Sequence, residues 1–222
     1  DLSSATFLDP IQQGVSAVDG SVLWTGPRYD FPPTSSYIDD AYGATLGPGN
    51  STYVTGRTYL GGSDASSMRA FIAKFDSTGN NLWTKYYVSS PSSEARIYGI
   101  DIIYNDDSLT MTYFGDVTEY SDYFQIGIMH TDSSGNFIWG KNYQINDFST
   151  EISYKVVKMP YGYAITGYGT GSGNDLFVIA VSNQGDVIWA KRYGSATTTE
   201  DLLYTASTNA VADGSDLLFT GR

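Results

Sequence analysis

The feature that most constrains how this chain can fold is a signature that recurs around its four tryptophans. A glycine lies four residues before each tryptophan, giving the pairs Gly20–Trp24, Gly79–Trp83, Gly135–Trp139 and Gly185–Trp189. The surrounding strings are VDGSVLWTGPRY, FDSTGNNLWTKYY, TDSSGNFIWGKNY and VSNQGDVIWAKRY. Successive tryptophans are 59, 56 and 50 residues apart, a period typical of one supersecondary unit repeated along a chain.

Each unit is predicted to contain four short β-strands. In the second unit they are expected near 41–46, 52–59, 69–75 and 81–87, where runs rich in Val, Ile, Tyr, Phe and Thr are separated by turn residues. No stretch keeps a helical period over ten residues. The sequence therefore predicts one all-β, β-propeller-like domain of four four-stranded antiparallel units, near 1–30 plus 200–222, 38–88, 94–144 and 150–194.

One of the four units is predicted to be split between the two ends of the sequence. Strands near 12–18 and 21–29 match the third and fourth strands of a unit, and strands near 202–211 and 216–222 match the first and second. The halves can combine within one molecule, closing a ring, or between neighbouring subunits, building a filament. The candidate assembly residues are Leu217, Leu218, Phe219, Val15, Val22 and Leu23.

A second signature precedes the tryptophans, as TYVTGR at 52–57, TYFG at 112–115, AITGY at 164–168 and LFTGR at 218–222. Together with FIAKFDSTGNNLWTKYY at 71–87, this pattern resembles the SBBP-type bacterial β-propeller repeats over nearly the whole chain. The resemblance implies a propeller fold and an extracellular or cell-surface setting. It implies no reaction and brings no catalytic residues.

Composition excludes several classes of function. Twelve Lys and Arg stand against 24 Asp and Glu, which opposes electrostatic binding to nucleic acid. Cysteine is absent and His130 is the single histidine, so thiolate chemistry and a multi-histidine metal site are excluded. No apolar run approaches the roughly 20 residues of a membrane span. The sequence begins at Asp1 without a signal segment, as expected of a processed product or of a piece of a longer chain.

The repeated residues have a structural and a functional interpretation. The tryptophans could stack on sugars, but their shared position in every unit favours packing between units. Lys85, Lys141 and Lys191 follow three of them and are expected to cover the indole faces. An acid and a tyrosine open each unit, and a hydrogen bond within each unit is predicted for Asp39 with Tyr42, Glu94 with Tyr98, Glu151 with Tyr154 and Glu200 with Tyr204.

Other candidate sites are weaker. Acidic clusters at Asp39–Asp40, Asp106–Asp107 and 116–122 carry oxygen ligands for Ca²⁺ but lack the spacing of a calcium loop, so no cofactor is expected. Asn50 begins an Asn-Ser-Thr sequon in a Gly-rich turn and is the glycosylation candidate. Any ligand site is expected where the repeat is most irregular, at 27–40 and 116–124.

The leading hypothesis is a non-catalytic extracellular structural protein that self-assembles through its terminal strands, with copies of itself as partner. The alternative is a monomeric lectin-like propeller that binds carbohydrate or protein through loop tyrosines, namely Tyr59, Tyr120, Tyr123, Tyr161 and Tyr163. A sialidase-like glycoside hydrolase is a remote third hypothesis. The D-x-x-G-x-x-L-W hairpin is similar to the Asp-box of sialidases, but no arginine triad is evident.

Overall fold

A computed structural model describes residues 11–28, 39–60, 68–88, 96–115, 124–145, 148–171, 174–194 and 209–220. These residues form sixteen β-strands and one short 3-10 turn, Pro48–Asn50. The all-β prediction is confirmed. Among the described residues, no helix is long and apolar enough to span a membrane.

Three complete units are present, each a four-stranded antiparallel sheet in which neighbouring strands follow one another along the chain. The second unit contains β3 (Asp40–Leu46), β4 (Thr52–Tyr59), β5 (Met68–Phe75) and β6 (Asn81–Tyr87). The third contains β7 (Ile97–Asn105), β8 (Ser108–Gly115), β9 (Gln125–Asp132) and β10 (Phe137–Tyr143). The fourth contains β11 (Phe148–Met159), β12 (Gly162–Gly171), β13 (Asn174–Ser182) and β14 (Val187–Tyr193).

The two ends of the described chain form separate hairpins. The N-terminal hairpin pairs β1 (Ile11–Val15) with β2 (Val22–Arg28), and the C-terminal hairpin pairs β15 (Asn209–Asp213) with β16 (Asp216–Thr220). Each is a two-stranded sheet of its own, so β16 and β1 are not paired with each other. The unit that was predicted to be split between the two ends is therefore present as two hairpins that are not paired with each other.

In the second unit, the turn between the third and fourth strands is organised by one acidic side chain, Asp76. The Asp76 carboxylate accepts hydrogen bonds from the backbone N–H groups of Thr78 and Asn80, at 2.8 and 3.0 Å. A hydrogen bond from the Asn80 side-chain amide, together with these two backbone bonds, holds the pKa of Asp76 well below its usual range. Gly79 has a φ of +84°, a conformation that glycine adopts without steric cost. The sequence Asp-x-x-Gly-Asn therefore specifies this tight hairpin.

A β-bulge marks the same place in the first strand of each complete unit. The register shifts across Tyr42, Ile100 and Tyr154, one extra residue in each first strand. Just before the bulge, the second strand presents Gly56 in one unit and Gly167 in another, each opposite a phenylalanine of the third strand.

The third unit reverses that glycine–aromatic pair. There Tyr113 lies opposite Gly127, so the ring has moved to the second strand and the glycine to the third. A Cβ at Gly127 would lie 2.2 Å from the Tyr113 ring. The glycine signatures in the sequence therefore do not superpose, because Tyr113, not Gly115, occupies the position of Gly56.

The hydrophobic core lies between successive sheets. One cluster joins the third and fourth units and includes Ile128, Ile165, Phe177 and Ile179. Another joins the second and third units and includes Tyr53, Ile72, Ile102 and Met111. The first strands lie against one another in the order β3, β7, β11 and β15. The units therefore stack face to face, with the C-terminal hairpin lying against the fourth.

Candidate functional site

The repeated tryptophan of one unit packs on the hairpin turn of the next. A Cβ at Gly185 would lie 2.7 Å from the Trp139 ring, and one at Gly135 would lie 2.9 Å from the Trp83 ring. Both glycines are buried, with φ values of +78° and +75°. Only a residue without a side chain fits this turn beneath an indole ring, which explains why the glycine recurs with the tryptophan.

The lysine and tyrosine that follow Trp83 bind the same turn as its indole ring. The Lys85 Nζ donates to the side-chain oxygen of Asn136, the residue after Gly135, at 2.6 Å. The Tyr87 hydroxyl donates to the carbonyl of Gly135 at 2.8 Å. We call the tryptophan, lysine and tyrosine of a fourth strand, together with the hairpin turn that they contact, a clasp.

The clasp repeats at the next junction. Lys141 forms an ion pair with Asp186, the residue after Gly185, and the Tyr143 hydroxyl donates to the Gly185 carbonyl at 2.7 Å. Trp139 also stacks on His130 of its own unit, with centroids 5.3 Å apart. Burial, with Lys158 nearby, lowers the pKa of His130. His130 therefore packs as a neutral aromatic ring inside the sheet face.

In the two described units that test the prediction, hydrogen bonds at the unit openings go to partners other than those predicted. The Tyr42 hydroxyl donates to Asp40, not to Asp39, at 3.0 Å. Glu151 accepts the N–H of Ile145 at 2.8 Å, while Tyr154 stacks on Tyr168. Burial raises the pKa of Glu151 to about 7. The pairs containing Glu94 and Glu200 lie outside the described residues, because neither acid is among them.

Two arginines lie against carboxylates. Arg57 binds Asp40 through Nε at 2.7 Å and faces the Tyr98 ring at 5.2 Å. Arg192 forms an ion pair with the buried Asp175. Both guanidinium groups are therefore engaged with side chains of this protein, in positions that differ between units.

The described acidic clusters lie on turns and strand ends. Asp106 and Asp107 form the two-residue turn between β7 and β8, with φ values of +49° and +60°. The Asp107 carboxylate accepts the Tyr104 hydroxyl at 2.6 Å. Within the parts of the chain that the structure describes, no three His, Cys, Asp or Glu side chains group as a metal site. The cluster at 116–122 lies outside the described residues.

The glycosylation and tyrosine candidates occupy contrasting places. Asn50 is exposed at the end of the 3-10 turn, with a φ of +58°. Tyr163 is buried in the core, so the prediction that it is an exposed loop tyrosine is wrong. Tyr59 and Tyr161 are half-buried, and Tyr120 and Tyr123 lie outside the described residues. So does most of the irregular stretch at 27–40.

The terminal hairpins expose side chains that are buried in complete units. The turn geometry places Leu218 at the second-strand position of Thr110 and Ala164, both of them buried. Leu218 is 59% exposed. Its cross-strand neighbour Val211 is also exposed.

The N-terminal hairpin shows the same contrast. Val15 pairs with Val22 across the bulge that precedes the tryptophan, the position of the buried residues Phe75, Thr131 and Val181. Val15 is 54% exposed, and Val22 and Leu23 are exposed as well. Phe219 and Leu217 are half-buried, and Phe219 contacts the Tyr193 ring with centroids 5.0 Å apart.

A cleft of about 400 Å³ opens between the second and third units. Its aromatic lining comes from Tyr86, Tyr87, Tyr113 and Phe137. The Tyr113 hydroxyl donates to the side-chain oxygen of Asn142 at 2.6 Å. The cleft lies where the third unit departs from the repeat, at the exchanged positions of Tyr113 and Gly127.

Sequence reasoning found the residues of the clasp and predicted that the tryptophans pack between units and that the lysines cover the indole faces, as Lys85 does over Trp83. It did not predict that the tryptophan, lysine and tyrosine all contact the hairpin turn of the next unit. The signal for these contacts was that glycine, tryptophan, lysine and tyrosine recur together at fixed spacing. The glycine of one repeat belongs with the other three residues of the repeat before it. The cleft left no such signal. Comparison with known proteins gives no further guide, because no protein-family model and no curated protein matches the chain.

Proposed function

We propose that this chain is a non-catalytic structural subunit that self-assembles through its terminal hairpins into an array of β-propeller-type units. The observation that carries the proposal is the complementarity of the two hairpins. One supplies the third and fourth strands of a unit, the other supplies the first and second, and their facing edges are unpaired among the described residues. An unpaired edge is a template for another strand.

The three complete units supply the register of the proposed pairing. In each, the third-strand residue opposite the tryptophan pairs with a defined second-strand residue, as Ala180 does with Ala164. On the N-terminal hairpin Gly14 lies opposite Trp24. Antiparallel pairing of β16 with β1 therefore places Leu218 of one copy opposite Gly14 of another.

Burial supplies the driving force for this pairing. Joining the hairpins and stacking the next unit on them would cover Leu218, Val211 and Val15, which are now exposed. Fully burying one Leu or Val side chain contributes about 1.5–3 kcal/mol. The two five-residue edges would form ladder hydrogen bonds at alternate residues at the same time.

The test is the size of the purified chain, measured by light scattering and negative-stain electron microscopy. The wild-type chain is expected to form extended assemblies. Leu218→Lys should leave monomers near 24.2 kDa, because it places a charge on the face to be covered. Leu82→Lys is the matched control, since Leu82 is similarly exposed but lies on the outermost strand of a complete unit. A compact wild-type monomer would refute the proposal.

An extracellular or cell-surface setting belongs to this proposal. It is supported by the exposed sequon residue Asn50, by the net charge of −12 and by the resemblance to SBBP-type repeats. Glycosylation of native material at Asn50 would appear as a mass above that of the bare chain, and as loss of that mass in Asn50→Gln. The bare mass on native material would count against the setting.

A second candidate function is carbohydrate binding in the cleft between the second and third units. The observation that favours it is asymmetry, because the cleft lies at the one described junction where Tyr113 and Gly127 exchange places. Aromatic rings beside an amide are suited to stack on a sugar and to bond its hydroxyls. Glycan-array binding of the wild-type chain and of the Phe137→Ala variant tests this second function. If the variant binds every glycan that the wild type binds, carbohydrate binding in the cleft is contradicted.

A further inference from the structure

The fourth unit carries the three side chains of a clasp, but among the described residues no hairpin turn lies against them. Trp189, Lys191 and Tyr193 stand on β14 at the spacing of the two clasps that are complete. Yet Tyr193 is 38% exposed, whereas its counterpart Tyr143 is buried. Among the described residues, the Tyr193 hydroxyl has no hydrogen-bond partner, while both counterparts bind a glycine carbonyl.

The N-terminal hairpin carries the matching turn without a clasp on it. It runs from Ser16 to Ser21, closed by a hydrogen bond from the Ser16 N–H to the Ser21 carbonyl at 2.8 Å. Gly20 has a φ of +73°, close to the +75° of Gly135 and the +78° of Gly185, but no atom of the described residues lies within 4 Å of a Cβ placed there. At Gly135 and Gly185 the same space holds a tryptophan ring.

We propose that the clasp of Trp189, Lys191 and Tyr193 binds the Ser16–Ser21 turn of a second copy of this chain. The inference rests on the proposed function, because the pairing of β16 with β1 brings that turn to the clasp. In the fourth unit the turn after β13 meets Trp139 of the third. If β1 of a second copy pairs with β16, the turn that follows β1 contacts Trp189 in the same way.

Each contact of the complete clasps has a counterpart in the proposed one. Trp189 covers Gly20, and the Tyr193 hydroxyl donates to the Gly20 carbonyl. Lys191 reaches Ser21, the residue after the glycine, as Lys85 reaches Asn136. The Ser21 hydroxyl is held at 2.8 Å by the Asp19 carboxylate, so an acid lies beside the lysine. Charge and shape therefore agree at this junction.

A second copy is favoured over the chain's own hairpin because the described structure is open. The N-terminal hairpin forms a sheet by itself, and β15 lies against β11 while β16 carries no third strand. An intramolecular ring would pair β16 with β1 of the same molecule. That arrangement is the competing outcome of the test.

Site-specific cross-linking decides between these outcomes, since the chain contains no cysteine. Lys191→Cys and Ser21→Cys are prepared as separate variants, mixed before they assemble, allowed to assemble together and treated with a short bismaleimide. A covalent dimer on a denaturing gel is expected. The double variant Lys85→Cys/Asn136→Cys is the positive control, because its two positions form a complete clasp within one molecule. Lys191→Cys mixed with Ser134→Cys is the negative control.

The remaining outcomes separate this inference from the proposed function. No dimer from the mixture, with a cross-linked monomer from Lys191→Cys/Ser21→Cys, would overturn both in favour of a closed ring. No cross-link in either case, while light scattering still shows assemblies, would overturn the clasp alone. No cross-link and no assembly would refute both.

A glycine substitution provides an independent measurement. Gly20→Ala adds a Cβ where the partner's Trp189 ring would lie, so association should weaken by on the order of tenfold. Gly49→Ala is the matched control, because Gly49 also has a positive φ, +65°, and open space around it. Equal association of the two variants would overturn the inference.

Discussion

Substituting the glycine beneath a tryptophan tests whether the repeated signature is a junction between units. Gly185→Ala should destabilise the monomer through two separable effects. An alanine at a φ of +78° costs roughly 1–2 kcal/mol in backbone strain. Its Cβ would also lie 2.7 Å from Cζ3 of Trp139, so the ring must shift. Overpacking of this kind costs typically about 1–3 kcal/mol.

Gly49→Ala separates the two effects because it carries the strain alone. With a φ of +65° and no atom within 4 Å of its Cβ, it should cost about 1–2 kcal/mol. We therefore expect Gly185→Ala to lose about 1–3 kcal/mol more than Gly49→Ala.

The assay is urea unfolding followed by tryptophan fluorescence and far-UV circular dichroism, at several protein concentrations so that assembly does not contribute. A second cycle repeats Gly185→Ala in a Trp139→Val background, where the clash is absent and only the strain should remain. Equal losses for Gly185→Ala and Gly49→Ala would refute the junction, as would an unchanged cost in the Trp139→Val background.

Three further predictions follow from named contacts. Tyr143→Phe should lower the free energy of unfolding in urea by about 1–2 kcal/mol, because it leaves the buried Gly185 carbonyl without its 2.7 Å donor. Tyr193→Phe should leave the stability of the monomer unchanged. Equal effects of the two substitutions would contradict this reasoning. The raised pKa of Glu151, about 7 against an ordinary 4.5, means that the native state holds the proton more tightly than the unfolded one. Stability should therefore fall as pH rises from about 4.5 to about 7, and Glu151→Gln, which keeps an acceptor for Ile145 N–H, should flatten that fall in thermal melts across pH. Hydrogen bonds from Asn136 lower the pKa of Asp132, so its effect on stability has the opposite sign: the stabilisation is present above pH 3.8 and is lost as pH falls below it. Asp132→Asn should therefore make the melting temperature less sensitive to acid. A melting temperature that falls in acid as steeply as in the wild type would contradict the role of the bonds to Asn136.

The sequence by itself determined the local structure. Strands of the second unit were predicted near 41–46, 52–59, 69–75 and 81–87, and the structure has Asp40–Leu46, Thr52–Tyr59, Met68–Phe75 and Asn81–Tyr87. The agreement is close because strands and hairpins depend on neighbours in sequence. Alternation marks the strand, and a glycine of positive φ beside an Asx side chain marks the turn. The four-stranded antiparallel character of three units is confirmed for the same reason.

The strand register could not be predicted from the sequence where a large side chain on one strand is accommodated by a glycine on the neighbouring strand. Gly115 looked like the counterpart of Gly56, but Tyr113 holds that position and Gly127 makes room for its ring. The hydrogen-bond partner of an acid was equally out of reach. Tyr42 donates to Asp40, a partner that is set by the bulge in its strand. Glu151 accepts the Ile145 N–H, a partner that is set by the loop before its strand.

Only the tertiary structure decided what the repeated residues do. Spacing alone showed that a glycine, a tryptophan, a lysine and a tyrosine recur together, and it suggested that the lysine covers the indole of its own copy. The structure places the glycine of each clasp in the next unit, under the tryptophan of the one before. Within the described residues it also leaves the side chains of one clasp and one hairpin turn without each other's contacts. Contacts between units depend on how whole sheets stack, and no local pattern encodes that stacking.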